Sequence, residues 1–303
     1  MKKDELRIVY MGTPEFAVPP LEILAKNGFN IVAVITAPDK PAGRGQKINK
    51  SAVKLSAEKL GIDVLQPTNL KDDVFLQNLK SLNANLQIVV AFRMLPEAVW
   101  SMPNIGTFNL HASLLPKYRG AAPINWAIIN GEKETGVTTF FLKHKIDTGD
   151  IILQDKEPIK EHDTVGILYE RLMKKGASLV LKTVELILTE NYELKPQDGE
   201  SCEAPKIYKE TCEIDWSKPS QAIINHIRGL NPYPTAWTII NNKKFKIFDV
   251  IHDSDITMKD DYETDQKTFL KMRTGNGSIL IKELQAEGKR RMTIEDFFRG
   301  NKI

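Results

Sequence analysis

Short apolar runs alternate with amphipathic helical patterns along the first 190 residues of the chain. Runs such as LRIVYMG, IVAVITA and LQIVVAF are apolar at nearly every position, and many of their residues are β-branched. Strands of this kind are buried on both faces, which is typical of a mostly parallel sheet with helices on either side. The segments SAVKLSAEKLG and DVFLQNLKSL between them repeat their apolar residues at helical spacing. The sequence therefore predicts an α/β fold built on a Rossmann-like, doubly wound, mostly parallel sheet.

A polar segment divides the chain. Residues 191–209 read NYELKPQDGESCEAPKIYK, in which prolines and a glycine interrupt regular structure. Beyond it, a helical pattern at 220–230 is followed by the strand-like runs TAWTII, KKFKIFDVI, TFLKMRT and GSILIKELQAEG. Short strands separated by turns predict a smaller, OB-like β-barrel. We therefore predict a Rossmann-like catalytic domain at 1–190, a linker at 191–209 and a β-barrel domain at 210–303.

Composition and the amino terminus favour a cytoplasmic protein. Hydrophobic residues make up 42% and charged residues 27% of the chain, as in ordinary globular domains. No apolar run approaches the roughly 18–20 residues of a membrane span. The amino-terminal stretch MKKDELRIVYMG lacks the long apolar region of a signal peptide. Cys202 and Cys212 have no metal-ligand spacing, so we interpret both as thiols in a reducing compartment.

The loops of the predicted sheet argue against a dinucleotide or metal cofactor. The first strand is followed by MGTPEFA, which has one glycine where a dinucleotide fingerprint needs three. No Walker loop is present, and no cluster of His, Cys and Glu has the spacing of a metal site. The sequence therefore predicts that nicotinamide, flavin and metal are not used.

The stretch FNLHASLLPKYRG combines a strand-like run with an abrupt break. Asn109 and His111 are two residues apart near the end of the run, so a strand would carry both side chains on one face. An amide and an imidazole that converge there can donate hydrogen bonds to one oxygen that develops negative charge. Asp147, in KIDTGD after a later strand, would favour the charged imidazolium or take up protons. No Ser or Cys is placed for attack, which favours direct carbonyl-group transfer between two bound substrates.

Taken singly, each of these features has a plain structural interpretation. A lone histidine is more often a satisfied core residue, and Asp-Thr-Gly-Asp is more often a turn. Ligands of open α/β sheets bind outside the carboxyl ends of the strands. The three stretches AFRMLP, NLHASLLP and KIDTGD each follow a predicted strand. Together they favour a site at that edge of the sheet.

The stretch FNLHASLLPKYRGAAPINWAIINGE, followed by DTGDII, strongly resembles the folate-dependent formyltransferases. Further similarity lies in MGTPEFAVPPLEIL, in PDKPAGRG and, in the second domain, in IRGLNPYPTAW. The resemblance covers both domains and weakens from about Asp253 onward. It implies an enzyme that uses 10-formyltetrahydrofolate as co-substrate, without a metal. The implied acceptor is the α-amino group of methionine on initiator tRNA, and the product would serve translation initiation.

The resemblance also implies roles for individual residues. Asn109, His111 and Asp147 match the catalytic trio of the family. The AFRMLP stretch departs from the family pattern, because Arg93 and Met94 stand where many members have a glycine and a small or basic residue. The implied folate-binding residues are Ser113, Leu114, Leu115, Pro116, Phe92, Arg93, Met94 and Leu95.

Two basic segments bear on the tRNA partner, although the net charge is only +3. Clusters of cations are most often a solvated surface, with a phosphate backbone as the alternative. The loop PDKPAGRGQKINKS resembles the tRNA-binding insertion of the family, which favours the second interpretation. The predicted tRNA-binding residues are Arg44, Lys40, Lys47 and, on a strand of the second domain, Lys243, Lys244 and Lys246.

Two other interpretations stay open at this point. A related formyltransferase could act on glycinamide ribonucleotide or on an amino sugar nucleotide, although the PAGRG loop argues against both. A tRNA-binding or folate-binding protein with an inactive site is the alternative outside enzymes, and the intact trio argues against it. We expect a monomer by default.

Overall fold

The computed structural model describes residues 1–42, 47–253 and 258–303. Within these residues the chain forms two compact units, and it passes from one to the other several times. The first unit consists of Met1–Arg119, Gly136–Glu157 and Glu170–Glu203, and the second of Gly120–Thr135, Pro158–Tyr169 and Ala204–Ile303. The domain boundaries drawn from the sequence stay a prediction.

The helices agree closely with the helical patterns of the sequence. For example, the predicted helix at 220–230 is present with those bounds. In chain order the helices are α1 (Val18–Lys26), α2 (Ala52–Leu60), α3 (Asp73–Ser81), α4 (Glu97–Trp100), α5 (Pro123–Ile129), α6 (Val165–Leu188), α7 (Ser220–Leu230) and α8 (Ile294–Phe298). Short 3-10 turns lie at Glu15–Ala17 and Glu210–Cys212.

The strands include every long run that the sequence predicted, and several short ones that it did not. In chain order they are β1 (Arg7–Gly12), β2 (Asn30–Ile35), β3 (Lys40–Ala42), β4 (Lys47–Asn49), β5 (Val64–Leu65), β6 (Leu86–Val90), β7 (Gly106–His111), β8 (Arg119–Gly120), β9 (Glu134–Phe141), β10 (Ile151–Pro158), β11 (Glu203–Ala204), β12 (Ala236–Ile240), β13 (Lys243–Asp253), β14 (Tyr262–Thr264), β15 (Leu270–Thr274), β16 (Gly277–Ala286) and β17 (Met292–Thr293).

The seven-stranded sheet of the first unit has the strand order β5-β2-β1-β6-β7-β9-β10. Its neighbours from β5 to β7 pair in parallel, and β9 pairs antiparallel with β7. Strand β6 is buried at every position, as expected for a parallel strand covered on both faces. The predicted Rossmann-like, mostly parallel sheet is confirmed.

The packing of α6 on β7 fixes which face of that strand is open to substrate. An added Cβ at Gly176 of α6 would lie 2.8 Å from Cδ2 of Leu110. The helix therefore approaches β7 closely on the face that carries Leu110. Because strand side chains alternate, Asn109 and His111 point away from α6.

The second unit is built on an antiparallel sheet in the order β12-β13-β16-β15-β14, with β17 also pairing with β16. Alternate side chains of these strands enter one core with α7 and α8, and Phe245, Ile247 and Phe297 are among its most buried members. This curled antiparallel arrangement confirms the predicted β-barrel type of the carboxyl-terminal part.

Among the described residues, no helix has both the length and the apolar character that crossing a membrane requires.

Candidate functional site

Asn109 and His111 lie on β7, between the neighbouring strands β6 and β9. In the register of the sheet, Asn109 is opposite Val89 of β6, and His111 is opposite Thr138 of β9. Asn109 is partly exposed, whereas His111 is only 6% exposed. The sequence-based expectation that the two share a face agrees with the alternation around Leu110.

The imidazole of His111 has one nitrogen already committed. Its Nε2 lies 2.8 Å from the carbonyl oxygen of Tyr118. A carbonyl oxygen can only accept, so Nε2 must carry the hydrogen of this bond. The remaining ring nitrogen, Nδ1, is then a lone-pair acceptor in the neutral ring and a donor in the imidazolium. The tautomer is set by the backbone of the residues that follow the strand.

The carboxamide of Asn109 is available for hydrogen bonding to a ligand. It makes no hydrogen bond to any residue within 1–42, 47–253 and 258–303. A partly exposed carboxamide carries two N–H donors. Both are available to a ligand above β7.

Asp147 lies in the turn between β9 and β10. The expectation that site residues follow the carboxyl ends of strands does not by itself bring Asp147 close to His111. Strand β9 runs antiparallel to β7, and the amide of Leu142 at its end donates to the carbonyl of Thr107, 2.8 Å away. The carboxyl end of β9 therefore lies near the amino end of β7. The expectation that the carboxyl ends of the strands lie at one edge of the sheet holds for β6 and β7, but it is wrong for β9.

The dipeptide Tyr118–Arg119 links His111 with Asp147. Tyr118 accepts from the His111 ring, and Arg119 Nε donates to the carbonyl oxygen of Asp147 at 2.9 Å. Asp147 itself has a φ of +52°, in the left-handed region that Asp tolerates better than most residues. The segment after β7 thus folds back and contacts the turn of Asp147. Two consecutive residues, Tyr118 and Arg119, therefore connect His111 with the turn that carries Asp147.

The residues Phe92–Leu95, which the family resemblance assigns to folate binding, are of different kinds. Phe92 and Leu95 pack against the apolar cluster of the sheet that includes Val89 and Val99. Arg93 differs from them, because its guanidinium donates to the carbonyls of Thr68 and Pro67 and lies 5.7 Å from the ring centroid of Phe92. Met94 is 77% exposed. An apolar floor with an exposed thioether above it fits a flat aromatic ligand.

The SLLP turn is held rigidly by its own contacts. Ser113 is fully buried, and its hydroxyl donates to the carbonyl of Lys117 at 2.6 Å. Leu115 packs with Phe140 and Ile151, while its carbonyl accepts from Gln154 at 2.8 Å. Leu114 and Pro116 are partly exposed. Of the four predicted residues, these last two have surface to offer a ligand.

The predicted tRNA-binding loop is flanked by a hairpin. Strands β3 and β4 pair antiparallel, with Lys40 opposite Asn49 at the open end. Lys40 is exposed. Lys47 starts β4, and Arg44 lies outside the described residues.

The base of this hairpin is anchored by Asp39. Its carboxylate accepts from Lys54 Nζ at 2.6 Å and from Gln66 Nε2 at 2.8 Å. The hydrogen bond from Lys54, supported by the one from Gln66, holds the pKa of the Asp39 carboxyl below its ordinary value. Anchoring of this kind fixes where the loop leaves the sheet.

The three candidate lysines of the second unit lie on β13. Lys243 and Lys246 are exposed, and Lys243 donates to the carbonyl of Lys302 at 3.2 Å. Lys244 lies over the ring of Trp237, with its Nζ 3.7 Å from the ring centroid. This cation–π contact holds the ammonium in place on the sheet surface.

Two residues beside the candidate trio were not found from the sequence. Gln197, in the segment interpreted as a linker, donates to the carbonyls of Asp147 and Gly149, and Arg119 contacts both Gln197 and Asp147. The signal available was the pattern KYRG directly after the strand, which places a guanidinium beside the break. Nothing in the sequence around Gln197 points to the site.

In the part of the chain that the structure describes, no group of three or more His, Cys, Asp or Glu side chains is arranged to hold a metal ion.

Two family profiles match the chain. The profile described as "Formyl transferase" matches residues 6–184, and "Formyl transferase, C-terminal domain" matches residues 206–302. Methionyl-tRNA formyltransferase of Bacteroides fragilis is 51% identical over 312 residues, which cover 99% of this chain and 96% of that protein. Methionyl-tRNA formyltransferase of Flavobacterium johnsoniae is 50% identical over 304 residues, which cover 98% of this chain and 96% of that protein.

Solved structures give a consistent result. The sugar 3N-formyl transferase WlaRD, studied with dTDP and 5-N-formyl-THF, is 26% identical with a TM-score of 0.69. The match covers 94% of this chain and 99% of that one. An N-formyltransferase from Helicobacter canadensis, in complex with folinic acid and dTDP-3-aminofucose, is 25% identical with a TM-score of 0.68. That match covers 94% of this chain and 100% of the other.

Proposed function

The chain belongs to the formyl transferase family, and we propose that it transfers a formyl group from 10-formyltetrahydrofolate to the α-amino group of methionine on initiator Met-tRNA. The observation that carries the proposal is the Tyr118–Arg119 link, which ties the His111 imidazole to the turn of Asp147. Relatives with about 50% identity along nearly the whole chain carry the name of this activity. The product is N-formylmethionyl-tRNA, the form of the initiator used in translation.

Asn109 and His111 stabilise the oxygen of the formyl group as the amine attacks. Attack by a neutral amine turns the formyl carbonyl into a tetrahedral oxyanion, which needs donors fixed in advance. When this intermediate collapses, the bond from the formyl carbon to N10 of the folate breaks, and the nitrogen takes up a proton as tetrahydrofolate leaves. Asn109 supplies side-chain N–H donors that make no hydrogen bond to the described residues. His111 supplies Nδ1–H in its imidazolium form, because its Nε2–H is occupied by Tyr118. This assignment makes the protonated ring the form that stabilises the oxyanion.

Asp147 supports this chemistry by its charge. A carboxylate near an imidazolium favours the charged ring, and it can also take up the proton that the amine loses, directly or through water. The left-handed backbone of Asp147 and the hydrogen bonds on its carbonyl support a fixed position for the carboxylate.

The residues after β6 and β7 fit the pterin of the folate co-substrate. Phe92 and Leu95 form the apolar wall, and the exposed Met94 offers its thioether to the pterin. Leu114 and Pro116 border the cleft, while Ser113 and Leu115 hold the turn from within. Arg93 stabilises the segment after β5 and does not need to contact the pterin.

The basic loop and the second unit bind the tRNA. Arg44, Lys40 and Lys47 contact phosphates of the tRNA, and so do the β13 lysines of the second unit. Phosphate contacts of this kind position the nucleic acid, and they weaken as the salt concentration rises. We place the reaction in the cytoplasm, where the initiator tRNA is used, and assign it to a monomer with catalysis in 1–190 and tRNA binding in 210–303.

An acceptor panel tests the proposed reaction. The enzyme is given 10-formyltetrahydrofolate and, in turn, charged initiator tRNA, charged elongator tRNA, glycinamide ribonucleotide and an amino sugar nucleotide. We expect formyl transfer, followed by mass spectrometry, to the charged initiator tRNA and at least tenfold less to each of the others. Sugar formyl transferases are among the similar structures, so transfer to the amino sugar nucleotide alone would replace the proposal.

Replacing Arg44 tests the loop assignment. We expect Arg44→Ala to raise the KM for Met-tRNA about three- to tenfold and to reduce the slope of log affinity against log salt by about one, since one phosphate contact is lost. The KM for the folate should stay within twofold. The exposed Lys71, which has no assigned role, gives the control variant Lys71→Ala. A selective loss of folate binding in Arg44→Ala would contradict the assignment.

A further inference from the structure

The turn that carries Asp147 is held from outside by two side chains. Gln197 Nε2 donates to the carbonyl of Asp147 at 2.9 Å and to the carbonyl of Gly149 at 2.8 Å. Arg119 Nε adds a second donor to the Asp147 carbonyl, also at 2.9 Å. Three hydrogen bonds from distant parts of the chain therefore converge on two carbonyls of one short turn.

The orientation of the Gln197 carboxamide is fixed by the same network. Arg119 donates to Gln197 Oε1 from Nε at 3.1 Å and from Nη2 at 2.6 Å. A guanidinium has only donors and a backbone carbonyl is only an acceptor. The oxygen of the amide must therefore face Arg119, and its NH2 group must face the turn. Reversing the amide would break every one of these bonds.

Both side chains are anchored by their backbones. The amide of Arg119 donates to the carbonyl of Cys202 at 3.0 Å. Lys195, two residues before Gln197, exchanges two backbone hydrogen bonds with Ile151 of β10. From 193 to 200, Gln197 is the one residue that is not exposed. A polar segment on the surface thus turns a single side chain inward, onto the turn of Asp147.

The backbone of Asp147 needs such support. Its φ of +52° lies in a region that costs a non-glycine residue free energy, and the surroundings must compensate for that cost. The turn is otherwise exposed from 143 to 146. Loss of the donors on its carbonyl would favour a shift of the Asp147 backbone toward ordinary angles, and its carboxylate would move with it.

We propose that Arg119 and Gln197 are positioning residues, which hold the Asp147 carboxylate in place for formyl transfer. The inference rests on the proposed role of Asp147. Arg119 also carries the peptide bond whose carbonyl, that of Tyr118, fixes the His111 tautomer. Arg119 therefore adjoins the carbonyl that orients the imidazole and also contacts the turn that carries the carboxylate.

The variant Gln197→Glu tests the two hydrogen bonds that the Gln197 NH2 group donates to the turn, and it leaves the size and shape of the side chain almost unchanged. It keeps an acceptor for Arg119 but places a carboxylate oxygen against the carbonyls of Asp147 and Gly149. We expect kcat to fall about 10- to 100-fold, as a small misplacement of a catalytic group does, with both KM values within twofold and the thermal midpoint nearly unchanged. Arg119→Met should have a similar effect. The double variant Arg119→Met/Gln197→Met should lose little more than either single one, because the two residues act as one unit.

Two further variants make the outcome decisive. Arg7→Met is the matched control, since Arg7 donates twice to the carbonyl of Leu82 near the amino end of β1, and it should keep wild-type kcat. Asp147→Asn measures the role on which the inference rests. If Asp147→Asn lowers kcat while Gln197→Glu and Arg119→Met do not, the positioning role is wrong and the proposed role of Asp147 stands. If Asp147→Asn keeps full activity, the proposed role itself fails. Additive losses in the double variant would also contradict a single network.

Discussion

We expect His111→Ala to lower kcat for formyl transfer by roughly 10²–10³-fold, the cost of losing one preorganised donor to an oxyanion. The ring is nearly buried at the end of β7, and its Nε2–H is held by Tyr118. The substitution therefore removes the proposed Nδ1–H donor together with the ring that the Tyr118 carbonyl orients. The affinity for Met-tRNA should stay within a few fold, because the phosphate contacts lie elsewhere on the chain.

Single-turnover kinetics with saturating folate and Met-tRNA measure the chemical step, and filter binding measures the tRNA affinity. His162→Ala is the control, since His162 is exposed and has no assigned role. An unchanged rate of formyl transfer in His111→Ala would contradict the proposal that His111 stabilises the oxyanion. A loss of tRNA binding as large as the loss of transfer would instead indicate that His111 supports the binding surface.

The tautomer of His111 can be checked independently of activity. The bond to Tyr118 requires hydrogen on Nε2 at every pH at which the site is intact. Nitrogen-15 NMR of the labelled histidines should therefore show the neutral ring of His111 protonated at Nε2. A neutral ring protonated at Nδ1 would mean that the ring faces Tyr118 with a lone pair, which a carbonyl cannot satisfy.

The sheet and the Asn109–His111 pair could be predicted because local patterns encode them. Continuous apolar runs specify parallel strands, and a spacing of two specifies one face of a strand. The short strands β3, β4 and β14 were missed because each has three residues and little apolar character. Their pairing comes from the chain around them rather than from their own composition.

The residues that contact Asp147 could not be predicted from local sequence patterns. The antiparallel direction of β9 takes its carboxyl end to the other edge of the sheet, so strand ends alone place Asp147 wrongly. What connects it with His111 is Arg119, 28 residues before it, and Gln197, 50 residues after it. Long-range side-chain bonds to backbone carbonyls leave no periodic signal, and a glutamine among prolines and acids resembles any polar linker.

Gly149→Ala should damage the fold and the reaction together. A Cβ at this buried position would lie 1.6 Å from the carbonyl oxygen of Phe141, which is backbone of β9 and cannot rotate away. The turn between β9 and β10 must therefore shift. We expect the free energy of unfolding to fall by about 1–3 kcal/mol, as in other overpacked sites. The carbonyl of Gly149 also accepts from Gln197, so the shift should carry Asp147 with it and lower kcat per folded molecule at least about tenfold.

Gly275→Ala separates the two effects. A Cβ there would lie 2.1 Å from the carbonyl oxygen of Ser217, a comparable clash within the second unit. Denaturant unfolding should show a similar loss of stability, while kcat per folded molecule, with the folded fraction taken from circular dichroism, should stay within about threefold. If both variants lost kcat in equal measure, general destabilisation would account for the result. If Gly149→Ala alone lost it, the position of the Asp147 turn is what the reaction depends on.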